Sequence, residues 1–81
     1  MEKMNITLEV ELSPIEEKIV SVLSNSQWKY SVKTLNFNLK EEGYIVNPWQ
    51  LSNILERMCL LQIIRRIEIG SSSNRHYLYF I

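Results

Sequence analysis

The sequence predicts an α+β domain in which three helices precede a β-hairpin and one strand stands ahead of them. Three observations predict it. Two Ser/Asn-Pro pairs, Ser13-Pro14 and Asn47-Pro48, are each followed by Glu or Gln three residues after the cap, the signature of a helix start. Gly43 supplies a stop after an apolar run of helical period. From residue 63 the spacing changes from helical to alternating, on both sides of a Gly/Ser turn.

Residues 5–12 (Asn-Ile-Thr-Leu-Glu-Val-Glu-Leu) alternate apolar and polar side chains, which puts Ile6, Leu8, Val10 and Leu12 on one face of an extended strand. Such a strand needs a sheet, either at the edge of a hairpin in the same chain or across a dimer, because an open edge leaves backbone groups unpaired. The first helix is expected over residues 14–24. The Ser13 hydroxyl accepts from its free N–H groups, Glu16 bonds back, and proline at the first position loses no intrahelical bond. Ile15, Ile19, Val22 and Leu23 recur at helical spacing.

Gln27-Trp28-Lys29-Tyr30 reads as a short extended connection. Ser31 can cap a second helix over residues 32–42, in which Val32, Leu35 and Leu39 share a face and Gly43 takes the left-handed position that ends it. Leu35, Phe37 and Leu39 also alternate with Asn36 and Asn38, as a strand would. The cap and the glycine stop favour the helix, with Phe37 pointing away from its apolar neighbours.

The third helix is expected over residues 48–60, opened by Asn47 and Pro48 with Gln50 three beyond the cap. Leu51, Ile54, Leu55 and Met58 form its buried stripe. At ~100° per residue, Trp49, Ser52, Asn53, Glu56 and Arg57 then gather on the opposite face. Residues 63–81 make the hairpin: Ile63 to Ile69, a turn through Gly70-Ser71-Ser72-Ser73-Asn74, and a return strand Arg75 to Ile81.

A chain of 81 residues that is 46 % hydrophobic and 22 % charged has the balance of a globular domain and room for a single core, so residues 1–81 are expected to form one domain. Nine basic and nine acidic residues cancel, which removes the global argument for nucleic-acid binding from net charge. The distribution is uneven: Arg57, Arg65, Arg66 and Arg75 face Glu68 alone in residues 57–81, so the cationic part is the C-terminal one. One cysteine allows no disulfide within the chain, and one Cys with one His makes a four-ligand zinc site implausible, so no metal or cofactor is expected. The start lacks the apolar run of a signal peptide, and no apolar stretch approaches the ~18 residues of a membrane span. These features predict a soluble cytoplasmic protein with no membrane partner.

The run Ile54-Leu55-Glu56-Arg57-Met58, then Ile64-Arg65-Arg66, a polar loop from Gly70 to Asn74, and Arg75-His76-Tyr77-Leu78-Tyr79 resembles the end of the winged helix-turn-helix family of bacterial and archaeal transcription regulators. The resemblance covers about residues 13–81 and lies in element order and residue type. The glycine common in that family between the third helix and the first wing strand is replaced here by Leu61-Gln62. The resemblance implies double-stranded DNA as partner, with the third helix in the major groove and the hairpin wing on the phosphate backbone. Gln50 and Asn53 carry the donor and acceptor pair suited to adenine, Arg57 reaches a phosphate or guanine, and Trp49 and Ser52 share their surface. Arg65, Arg66, Arg75 and His76 flank the wing loop. Adjacent strand residues face opposite ways, so one of Arg65 and Arg66 lies on the outer surface while the other packs on the domain.

Each of these residues also has a plainer reading. The polar face of the third helix is what any surface helix shows. Trp49 has three fates open to it: stacking on a base or sugar, filling a protein interface, or folding back onto Tyr44. His76 has no ligand neighbour and reads as a surface residue; Cys59 reads as core or edge packing, with an intersubunit disulfide or redox sensor as alternatives. No nucleophile–base constellation, phosphate loop or carboxylate pair points to an enzyme, and no small-molecule ligand is evident. A homodimeric DNA-binding regulator is therefore the expectation. A winged-helix protein-interaction module is the alternative, suggested by zero net charge, Trp49 and the apolar strand.

Overall fold

The computed structural model describes residues 11–70 and 75–81. In order these are α1 (Pro14–Ser24), α2 (Val32–Glu41), α3 (Pro48–Leu60), β1 (Arg65–Ile69) and β2 (His76–Phe80). The molecule is thus α+β, three helices and a two-stranded antiparallel hairpin, an arrangement compatible with a winged helix. Of the expected strand at residues 5–12, residues 5–10 lie outside the described residues, and Glu11 and Leu12 belong to no strand.

The helix starts follow from their caps. Ser13 and Asn47 both sit in extended backbone and both complete the reciprocal cap, with Glu16 and Gln50 at the third helical position. Ser31 caps α2 through the Thr34 N–H at 3.1 Å. Two helix ends share one device. After α2, Gly43 at φ 92° lets Tyr44 N–H reach Leu39 C=O at 2.8 Å and Gly43 N–H reach Lys40 C=O at 3.0 Å. After α3 the same two bonds run from Ile63 to Met58 and from Gln62 to Cys59, both 2.9 Å. There the left-handed residue is Gln62, at φ 63°. The left-handed position that Gly43 fills after α2 is thus taken after α3 by a glutamine, at a strain cost of ~1 kcal/mol.

That turn also corrects the start of the hairpin. Its first strand was expected from Ile63, but Ile63 spends its N–H on the helix end, so the ladder begins at Arg65. The second helix, expected to residue 42, ends at Glu41 with Glu42 as cap.

The core is built from one stripe per helix: Ile19 and Leu23, then Leu35 and Leu39, then Leu51, Leu55 and Met58, closed by Ile64 and Tyr79 from the hairpin. Full burial of each aliphatic side chain contributes roughly 1.5–3 kcal/mol. Ile15, Val22 and Ile54 pack against this core half-buried. Phe37 is 63 % exposed, on the side of α2 away from the core. Tyr30, in the extended connection between α1 and α2, pairs with Tyr79 in both directions, at 2.9 and 2.7 Å, and so ties that connection to β2. No helix among the described residues is long and apolar enough to cross a membrane.

Candidate nucleic-acid interface

The outward side of α3 is open along its length. Leu51, Leu55 and Met58 are fully buried, while Ser52, Asn53, Glu56 and Arg57 are exposed and Trp49 is 73 % exposed. Of the three fates open to Trp49, folding back onto Tyr44 is the one this exposure disfavours: Tyr44 packs against the core and leaves the indole in solvent. Ile45, 72 % exposed in the turn before α3, adds a second apolar group near the same helix start.

The polar residues of this face are not equivalent. The Gln50 side-chain oxygen accepts from the Asn47 N–H at 3.2 Å, so its acceptor is committed to the cap and its amide donor remains. Asn53 is exposed and has no side-chain hydrogen bond among the described residues, so it keeps both the donor and the acceptor that an adenine edge requires. Arg57 donates from Nη1 to Glu16 Oε2, across 41 residues of sequence. The guanidinium is 55 % exposed; the carboxylate beneath it is 8 % exposed.

Glu16 is the buried charge of the described molecule, and sequence reasoning gave it only a capping role. Burial pushes its carboxyl up, but the Ser13 backbone N–H and hydroxyl together with Arg57 outweigh that and hold it below its ordinary value. One carboxylate therefore serves both the α1 cap and the α1–α3 contact. The missing signal was tertiary: no local pattern relates Glu16 to Arg57.

In the hairpin the two adjacent arginines diverge, as strand alternation requires. Arg65 stands opposite Phe80 and is exposed. Arg66 stands opposite Tyr79 and lies over the Tyr77 ring at 4.1 Å from its centroid. Burial raises the Tyr79 phenol above its ordinary value although Arg66 draws it down. Arg66 is thus the arginine that packs on the domain. Arg75 pairs with Glu68 at 3.0 Å, both well exposed, and His76 is exposed opposite Ile69.

Three further cations were not singled out by the sequence. Lys29 lies over Phe80 at 5.2 Å, Lys18 pairs with Glu42 at 3.1 Å, and Lys33 stands exposed in the first turn of α2. Cys59 is half-buried against the core; burial pushes its thiol up, Arg66 pulls it down and Glu56 pushes it up again, with a net rise. A thiol raised in this way stays protonated near neutrality, which is an inert packing environment. A shallow hollow of about 440 Å³ beside it, lined by Cys59, Gln62, Ile64, Arg65 and Arg66, carries no carboxylate or imidazole. Among the described residues no group of three or more His, Cys, Asp or Glu could hold a metal ion. No family model, curated protein or solved structure matches the chain.

Proposed function

We propose that this chain is a small winged-helix DNA-binding regulator that lays α3 in a major groove of double-stranded DNA and the hairpin on the adjacent phosphates, in the cytoplasm and as a dimer. The observation that carries the reading is the uncovered side of α3: Trp49, Ser52 and Asn53 stand in solvent on a helix whose other side is fully anchored. Asn53 supplies the base-reading pair, Trp49 an apolar surface for a thymine methyl or sugar, and Gln50 a donor.

Phosphate contacts fall to Arg65, Lys33 and Arg75. The Arg75–Glu68 pair is exposed on both sides, and such pairs contribute ~0–1 kcal/mol, so a phosphate can replace the carboxylate at little cost. Arg57 and Arg66 enter this reading as positioned cations near the interface rather than as free ones, because Glu16 and the two tyrosines already hold them.

The test is a titration of random-sequence duplex at low salt followed by selection of bound duplexes. Arg65→Ala with Arg75→Ala should weaken binding to all sequences and flatten the log–log salt slope by roughly one per lost contact. Asn53→Ala should relax sequence preference. Failure of the protein to bind any duplex at low salt would end the DNA reading.

The engagement of Arg57, Arg66, Arg75, Lys18 and Lys29 within the chain favours a second reading, a protein-interaction module that uses Trp49 and Ile45. It gains if duplex affinity is absent.

A further inference from the structure

The core accounts for one face of the hairpin and leaves its free edge and other face unexplained. Both backbone groups of Tyr79 are spent on Tyr30. By the alternation of an antiparallel ladder, Leu78 and Phe80 then turn theirs to β1, where Ile67 and Arg65 answer them. The N–H and C=O of Arg66 and Glu68 consequently point away from β2, to an edge with no partner strand among the described residues. Beside that edge Ile67, Ile69, Leu78 and Phe80 line the outer face, and none of them belongs to the core or the residues packed on it.

The edge is complementary to itself. Two copies of β1 run antiparallel about a two-fold axis at Ile67 would place Arg66 opposite Glu68 of the second copy, twice. These are the residues whose backbone groups are turned outward, so they form the hydrogen-bonded pairs, and Ile67 meets Ile67 of the second copy as the closer, non-bonded pair. Moving the axis by one residue, to Arg66 or Glu68, would set like charges opposite each other, and a slip of the register by a single residue would turn one aliphatic row to the other face.

We propose that the chain dimerises by this edge-to-edge pairing of β1, making one four-stranded sheet with a continuous aliphatic outer face and two Arg66–Glu68 pairs across the axis. The occupant is a second copy. The proposal names the interface of the dimer proposed above and does not depend on what α3 binds, since sedimentation and duplex titration fail separately.

The test uses the full chain. By sedimentation in the submillimolar range the protein should be a dimer. Arg66→Glu and Glu68→Arg should each be monomeric, with their equimolar mixture dimeric, because mixing restores opposite charges at both pairs. Loss of the Arg66 contacts with Tyr77 and Tyr79 could unfold the first variant, so a second measurement stands beside it. In a Cys59→Ser background, Ile67→Cys should oxidise to a covalent dimer, since Cα atoms of a non-bonded pair are ~4.5 Å apart, within disulfide reach. Ile69→Cys, which would face Arg65 of the second copy, should not. A monomeric wild type, including one whose Arg66 and Glu68 amides are protected by residues 5–12 of the same chain, would overturn the proposal. So would mixing that restores nothing, or equal cross-linking at positions 67 and 69.

Discussion

The first turns of α1 and α3 are written in the same residues, an Asn or Ser cap, a proline, and a long polar side chain at the third helical position, yet they close differently. In α1 the forward bond from Glu16 N–H to the Ser13 hydroxyl is long, 3.4 Å, and the return bond from Ser13 N–H to the Glu16 carboxylate is short, 2.9 Å. In α3 the order is reversed: 2.8 Å to the Asn47 oxygen and 3.2 Å back to Gln50. A carboxylate is the stronger acceptor, so the strong bond sits on the third residue in α1 and on the cap residue in α3. Only the α1 side chain goes on to a tertiary partner, Arg57. Shared local grammar therefore carries different loads once the helices pack.

The largest effect should come from Glu16→Ala, which removes an acceptor from Ser13 and from Arg57 together. We expect a loss of ~1.5–3 kcal/mol by urea unfolding, in the range for hydrogen bonds to charged groups. A loss no larger than that of Gln50→Ala would erase the contrast between the two turns.

Acid should expose the same difference. The folded Glu16 carboxyl lies below its ordinary value near 4.5, so its contribution is complete above that value and is lost as pH falls through the lower folded value. Wild type should therefore lose stability in that acid window more steeply than Glu16→Gln, measured as urea midpoints against pH. Parallel curves would show that the carboxylate is not held.

The caps themselves come next. Asn47→Ala should cost ~1 kcal/mol and Ser13→Ala about half as much, because the Asn47 bond is the shorter and Ser13 leaves a helix still tied by Glu16. The reverse order in thermal or urea midpoints would contradict the geometry. Gln50→Ala should cost least, a few tenths of a kcal/mol, since an exposed amide bond at 3.2 Å competes with water. A larger cost there would give Gln50 a structural role and weaken its place in base recognition.

Much of the fold was legible because it is written locally. Ser13-Pro14 and Asn47-Pro48 located α1 and α3, Gly43 ended α2, and the 3.6-residue period separated Leu51, Leu55 and Met58 from Trp49, Ser52 and Asn53. The divergence of Arg65 and Arg66 followed from strand alternation alone. Harder to read were the start of β1, which depended on Gln62 adopting a left-handed conformation that its residue type disfavours, and the commitment of Gln50's acceptor to the cap.

What the sequence by itself determined is the order of the three helices and the hairpin, the starts of the helices and the face each presents, because those depend on residues within one or two turns of each other. The tertiary structure alone decided that Glu16 would meet Arg57, that Arg66 would settle over Tyr77, and that Tyr30 would bridge to β2. Those pairings join residues far apart in the chain, and their free energy depends on burial and distance, which exist only after the helices and hairpin have packed.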